Sequence, residues 1–142
     1  MGLALSYRDP VFTLEDITRI HDELGNADTL PEYLRALRDI GVRHYDSFVA
    51  DGHSEYHTAD GHTLASGATH TTFIVSDTCD RPAFLDFMTL VEQGGVGYEQ
   101  MSRRLAELGV EKWTFDTAAL TITYTDRAGR TLLSEQVARA AR

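Results

Sequence analysis

The sequence predicts an α+β protein: two units, each of two helices followed by a β-meander, forming one antiparallel sheet with the helices packed on one face. Three observations predict it. Helical apolar spacing gives way twice to Thr- and aromatic-rich alternating sequence just after a glycine, at Gly41 and again at Gly109. The dipeptides Asp51-Gly52 and Asp60-Gly61 suit two-residue hairpin turns, whose central residues need positive φ. Sliding the chain by 68 residues lays RALRDIGV (35–42) on RRLAELGV (103–110), and pairs Tyr45 with Trp113, Tyr56 with Tyr124, Gly61 with Gly129 and Leu64 with Leu132.

In chain order, Thr13 caps a helix that carries Leu14, Ile17, Ile20 and Leu24 at helical spacing and stops at Gly25. Thr29-Leu30-Pro31-Glu32 reads as a capping box with proline in the first turn. The helix behind it buries Leu30, Tyr33, Leu34, Leu37 and Ile40. Residues 43–50, 53–59 and 62–66 form the first meander, and THTTFIVS, 69–76, reads as a further strand. Asp80 precedes a helix to Gln93 with Phe84, Leu85, Phe87, Met88 and Val91 nearly all round it, the pattern of a mostly buried helix. A helix from Gly97 to Leu108 follows, then strands at 112–117, 120–125 and 130–134. The expected organisation is one domain over 1–142, with a flexible N-terminus (1–11), a first unit (12–76), a second unit (77–137) and a C-terminal tail (138–142).

Bulk composition narrows the functional classes. The chain has 142 residues, enough for a real core, with 13 Lys+Arg against 22 Asp+Glu and a net charge of −9. Such a surface repels phosphate backbones and anionic membranes, so neither nucleic acid nor membrane is an expected partner. Cys79 is the only cysteine, which excludes an intrachain disulfide and makes a reducing compartment the default. MGLALSYRDP lacks the charged and apolar regions of a signal peptide, and no apolar run reaches the roughly 20 residues of a membrane span. A cytoplasmic location is expected.

Two-residue turns would set Ala50 opposite His53, Asp46 opposite His57 and His57 opposite Leu64, and opposed residues share a face. One face then carries His44, Asp46, Phe48, His53, Glu55, His57, His62 and Leu64. The other carries Tyr45, Ser47, Val49, Ser54, Tyr56 and Thr58, which the 68-residue offset maps onto Trp113, Phe115, Ile122 and Tyr124, a core face. The histidines therefore point away from the helices. His44, Asp46, His57 and His62 are the candidate metal ligands, of types that zinc or a similar divalent ion accepts. No motif such as HExxH accompanies them, and a polar sheet face that titrates near neutrality is the commoner outcome. His53 and Asp51 are the candidate acid–base pair, although a residue after a turn more often pins the hairpin. Phe48 and Leu64 fit a polar face badly, and a homodimer would cover them.

Other stretches carry less. Gly94-Gly95-Val96-Gly97 opens a helix and could cradle an anion, but it lacks the lysine of a phosphate-binding loop and does not follow a strand. Cys79 precedes a helix N-terminus without a histidine nearby in sequence, and reads as an ordinary small residue. His21 reads as a solvent-edge residue.

Ile40-Gly41-Val42-Arg43-His44-Tyr45, Phe48-Val49-Ala50-Asp51-Gly52-His53 and Tyr56 together resemble the YbcV-like bacterial family often labelled "phage envelope protein". Gln93-Gly94, Tyr98, Gly109-Val110-Glu111-Lys112-Trp113, Tyr124 and Ala128-Gly129 extend the resemblance over residues 12 to 137. It implies a small soluble bacterial protein without an established activity. His44, Asp51, Gly52 and His53 match that family's pattern, whereas His57 and His62 depart from it, which counts against a four-residue metal cluster. The expectation is a non-catalytic binding or accessory module that needs no cofactor. A metal-dependent or His-based hydrolase is the first alternative, with zinc as its ion, and a phage-derived structural protein the second.

Overall fold

A computed structural model describes residues 12–25 and 29–137. The N-terminus (1–11) and the tail (138–142) expected from the sequence lie outside the described residues. Among the described residues the order is α1 (Leu14–Leu24), α2 (Leu30–Asp39), β1 (His44–Phe48), β2 (Ser54–His57), β3 (Thr63–Ala65), α3 (Arg81–Glu92), α4 (Tyr98–Glu107), β4 (Val110–Asp116), β5 (Thr121–Asp126) and β6 (Thr131–Gln136). The strands form a six-stranded antiparallel open sheet in the order β3-β2-β1-β4-β5-β6.

Helix starts follow local chemistry, with one exchange. Thr13 and Asp16 form a reciprocal capping box at α1. At α2, where the sequence predicts such a box, the Thr29 hydroxyl instead donates to the carbonyl of Leu24 at 2.6 Å. That bond ties the two helices together at the expense of a cap. Asp80 caps α3 by accepting from the Ala83 N–H, and Gly109 ends the turn after α4 at φ 91°. A side chain at Gly109 would collide with the backbone of Thr78.

One core draws on both halves of the chain. Tyr33 of α2 packs edge-on against Tyr45, and Phe84 of α3 lies against Tyr124, so the helices cover the face that carries Tyr45, Tyr56, Trp113, Phe115 and Tyr124. Leu34, Leu37, Val49, Phe84 and Leu105 are fully enclosed there, each such side chain contributing about 1.5–3 kcal/mol. The α3 helix is less buried than its apolar residues predict. Only Phe84 and Met88 are buried and Leu90 is exposed, because the helix packs by one side. Across the β1–β4 seam the Thr117 hydroxyl reaches the carbonyls of Val42 and Arg43 at 2.7 and 2.8 Å.

Residues 69–76 do not form the strand that their composition predicts. They run as an extended segment whose backbone N–H groups bond to turn and helix carbonyls: Thr69 to Asp51, Phe73 to Ala50 and Ser76 to Ala106. Those partners come from two different elements, so no ladder forms.

Both hairpin loops are longer than their Asp-Gly dipeptides predict. Phe48 and His53 close the first, because the Phe48 N–H bonds to the His53 carbonyl at 2.9 Å, leaving residues 49–52 as the loop. His44 then pairs with His57 and Asp46 with Glu55. This shift of two keeps every side chain on its expected face. Thr58 and His62 close the second loop around residues 59–61, with Gly61 at φ 96°. The shift here is one residue, so Tyr56 pairs with Leu64 and His57 with Thr63. Leu64 therefore lies on the core face, contrary to the sequence-based register.

Candidate functional site

The face without helices is mostly polar, with Phe48 and Ala65 as apolar positions on it. Running across it, Thr63, His57, His44, Asp116 and Thr121 form one row, and Ala65, Glu55, Asp46, Thr114 and Thr123 the next. Two groups of side chains stand on this face, each built from histidine and carboxylate.

The first group gathers three of the four candidate metal ligands. His44, Asp46 and His57 bring one donor atom each within 4.8 Å of one another. The pairing of β1 with β2 stacks the two imidazoles at 4.5 Å between centroids, and Asp46 sits two residues along the same strand as His44. His57 is oriented at both nitrogens. Its Nδ1 is 3.1 Å from the Thr63 hydroxyl and its Nε2 is 3.3 Å from Asp46 Oδ2. The Asp46 side chain is only 9% exposed. Its Oδ1 accepts a hydrogen bond from the Thr114 hydroxyl at 2.5 Å and lies 3.5 Å from Lys112 Nζ. Burial, then the neighbouring His57, pushes the His44 pKa down, with Asp46 and Asp116 opposing the shift.

His62 stays outside this group. The one-residue shift turns it to the side of Thr58, where its Nδ1 lies 3.0 Å from Asp60. His53 also stands apart, in the second group.

In that second group His53 is held by carboxylates at both nitrogens: Nδ1 lies 2.6 Å from Asp51 Oδ1 and Nε2 lies 3.3 Å from Glu55 Oε2. Asp51 also accepts the His53 backbone N–H at 3.0 Å. Burial works against a charged ring here, but the hydrogen bonds to Asp51 and Glu55 outweigh it and raise the His53 pKa. Burial likewise opposes ionisation of Asp51, and the bonds from His53 overcome it and lower the pKa. The candidate acid–base pair is thus in hydrogen-bond contact. With a carboxylate at each ring nitrogen, His53 has no unengaged nitrogen to offer a substrate.

Phe48 is covered from within. The His53 ring stacks on it at 4.5 Å with an interplanar angle of 1°, and the Lys112 ammonium stands 5.6 Å from its centroid. With Leu64 on the core face, both residues that called for a partner chain are accommodated by this chain itself.

Glu55, Thr63, Lys112 and Thr114 escaped sequence reasoning as site residues. Glu55 links the two groups, since its Oε1 lies 4.0 Å from His57 Nε2. Lys112 and Thr114 come from β4 and meet Asp46 only through the seam. The 68-residue offset equates Asp46 with Thr114 but predicts no contact between them; the antiparallel register of β1 and β4 brings them together. The other candidates bring little. The Cys79 thiol pKa is raised by burial and then by Asp126 and Asp80, the wrong direction for a nucleophile. Gly97 caps α4 without any side-chain bond.

Fold and site together define an open-faced α+β protein with a histidine–carboxylate group on the free side of its sheet. A family model described as a protein of unknown function (DUF1398) matches residues 18–136, and the chain belongs to that family. No curated protein matches it. Among the described residues, no helix is long and apolar enough to cross a membrane.

Proposed function

We propose that this protein is a non-catalytic binding or accessory module and that the free face of its sheet is the binding surface. The observation that supports this is the ordering of polar side chains there. His57, Asp46, Thr114, Lys112 and Glu55 already hold one another in place. A ligand that meets ordered groups avoids much of the entropic cost of immobilising them. A His-based hydrolase needs a free base, and His53 is committed at both nitrogens.

The test is amide-shift mapping of the 15N-labelled protein against a panel of small anionic and zwitterionic metabolites, beside turnover assays on chromogenic esters and phosphomonoesters. Shifts confined to β1, β2 and β4, without turnover, are the expected result. Turnover that disappears in His57→Ala would replace this reading with the hydrolase. The resemblance to YbcV-like proteins supplies the third reading, a phage-derived structural protein. An ordered high-mass assembly in sizing experiments would favour it, whereas a monomer or homodimer fits the binding module.

A further inference from the structure

We propose that a ring nitrogen of His44, Oδ2 of Asp46 and Nε2 of His57 form a three-ligand site for a borderline first-row divalent cation, with zinc as the reference ion. The proposal deepens the binding-face reading and rests on it. Two imidazoles and one carboxylate are a donor set that such ions accept, and three protein ligands leave a coordination position open. Bonds of about 2.0–2.1 Å at tetrahedral angles place donor atoms about 3.4 Å apart. Asp46 Oδ2 and His57 Nε2 already stand at 3.3 Å. One donor atom from each of His44, Asp46 and His57 lies within 4.8 Å of the other two, and the His44 ring stands beside that of His57 on the free face of the sheet.

Outer contacts make the stronger argument. A ligating histidine usually engages its second nitrogen with a fixed partner, and a ligating carboxylate its second oxygen. Thr63 takes Nδ1 of His57, which leaves Nε2 directed at the site. Thr114 and Lys112 both take Oδ1 of Asp46, which leaves Oδ2 directed at the same point. Lys112 is a cation near a cation site, but it approaches the far oxygen and also lies against Phe48. Its charge lowers affinity without occupying the position. Glu55, 4.0 Å from His57 Nε2, adds a negative charge on the opposite side.

The test uses the full-length, tag-free chain, stripped with chelator and dialysed, then titrated with Zn²⁺ by calorimetry and with Co²⁺ by visible absorption. One equivalent per chain is expected, with a Co²⁺ spectrum of a low-coordinate site. His57→Ala and His44→Ala should each weaken binding by about 100-fold or more, and Thr114→Val by about 10- to 100-fold through the outer contact. His62→Ala should change nothing, and circular dichroism of each variant reports its fold. Absence of saturable binding to the wild type overturns the proposal. So does a His62→Ala loss equal to that of His57→Ala, which would mark scattered surface histidines. If the metal-free protein still shows metabolite-induced shifts on β1, β2 and β4, the binding face stands and only the cation falls.

Discussion

The tetrapeptide Ala-Asp-Gly-His occurs at 50–53 and again at 59–62, and the same four residues have different fates. Locally they agree. In both, glycine takes positive φ and the histidine Nδ1 turns back to the aspartate Oδ1, at 2.6 Å for His53 and 3.0 Å for His62. Everything beyond that contact differs. The first loop is pulled inward by its surroundings, since the Val49 N–H bonds to the Glu111 carbonyl and Val49 is fully buried. The Thr69–Tyr98 side chains close over Gly52, whereas nothing approaches Gly61. Short sequence thus sets the turn residue and the Asp–His contact. Loop length, and with it the face a strand presents, is set by what the loop packs against.

Glycine substitutions give the largest test of that contrast. In Gly52→Ala the methyl would overlap the Thr69 hydroxyl and crowd His70 and Tyr98 at a positive φ. A left-handed alanine costs about 1–2 kcal/mol and overpacking about 1–3 more, so a loss of about 3 kcal/mol is expected from urea unfolding. Gly61→Ala meets open space and carries the backbone cost alone, about 1 kcal/mol. Equal losses would mean that both turns are merely local.

Acid–base behaviour gives a smaller and more selective test. The folded pKa of His53 is raised above its usual 6.5. The stabilisation from its two carboxylate partners is therefore complete below 6.5 and fades as pH rises through the folded value. The urea midpoint of the wild type should exceed that of His53→Ala more at pH 5.5 than at pH 9. A gap that stays constant across this range would show that the clamp acts by packing on Phe48 and not by charge.

The smallest effect belongs to the second turn. Hydrogen bonds from Thr58 and then His62 hold the Asp60 carboxyl down at about 2. A depressed carboxyl gives stability that is present above its unfolded value of 3.8 and is lost as pH falls through the folded value. Asp60→Asn should therefore match the wild type in the shape of its stability curve above pH 5, and the two should diverge only in acid. Asp60 is exposed, and a divergence larger than that of the first turn would reverse the comparison.

The helices were legible in sequence because their signals are local. Thr13, Asp80, Gly25 and Gly109 act within a turn or two of chain, and each marks an observed boundary. The partition of β1 and β2 into core and free faces was legible too, since alternation survives a shift of two. The β2–β3 register was not. A single extra loop residue moved Leu64 inward, brought Thr63 beside His57 and carried His62 away from the candidate ligands.

Sequence by itself therefore determined the α+β class, the order of helices and strands apart from the strand expected at 69–76, and the free face on which His44, Asp46 and His57 stand. These follow from periodicity and turn chemistry, which are properties of neighbouring residues. Tertiary structure decided which polar side chains meet. Thr114 and Lys112 reach Asp46 because β4 pairs with β1 across the seam, and Thr63 reaches His57 because the second loop closes one residue longer than its dipeptide predicts. Such contacts depend on loop closure and long-range strand pairing, and no short window of sequence encodes either.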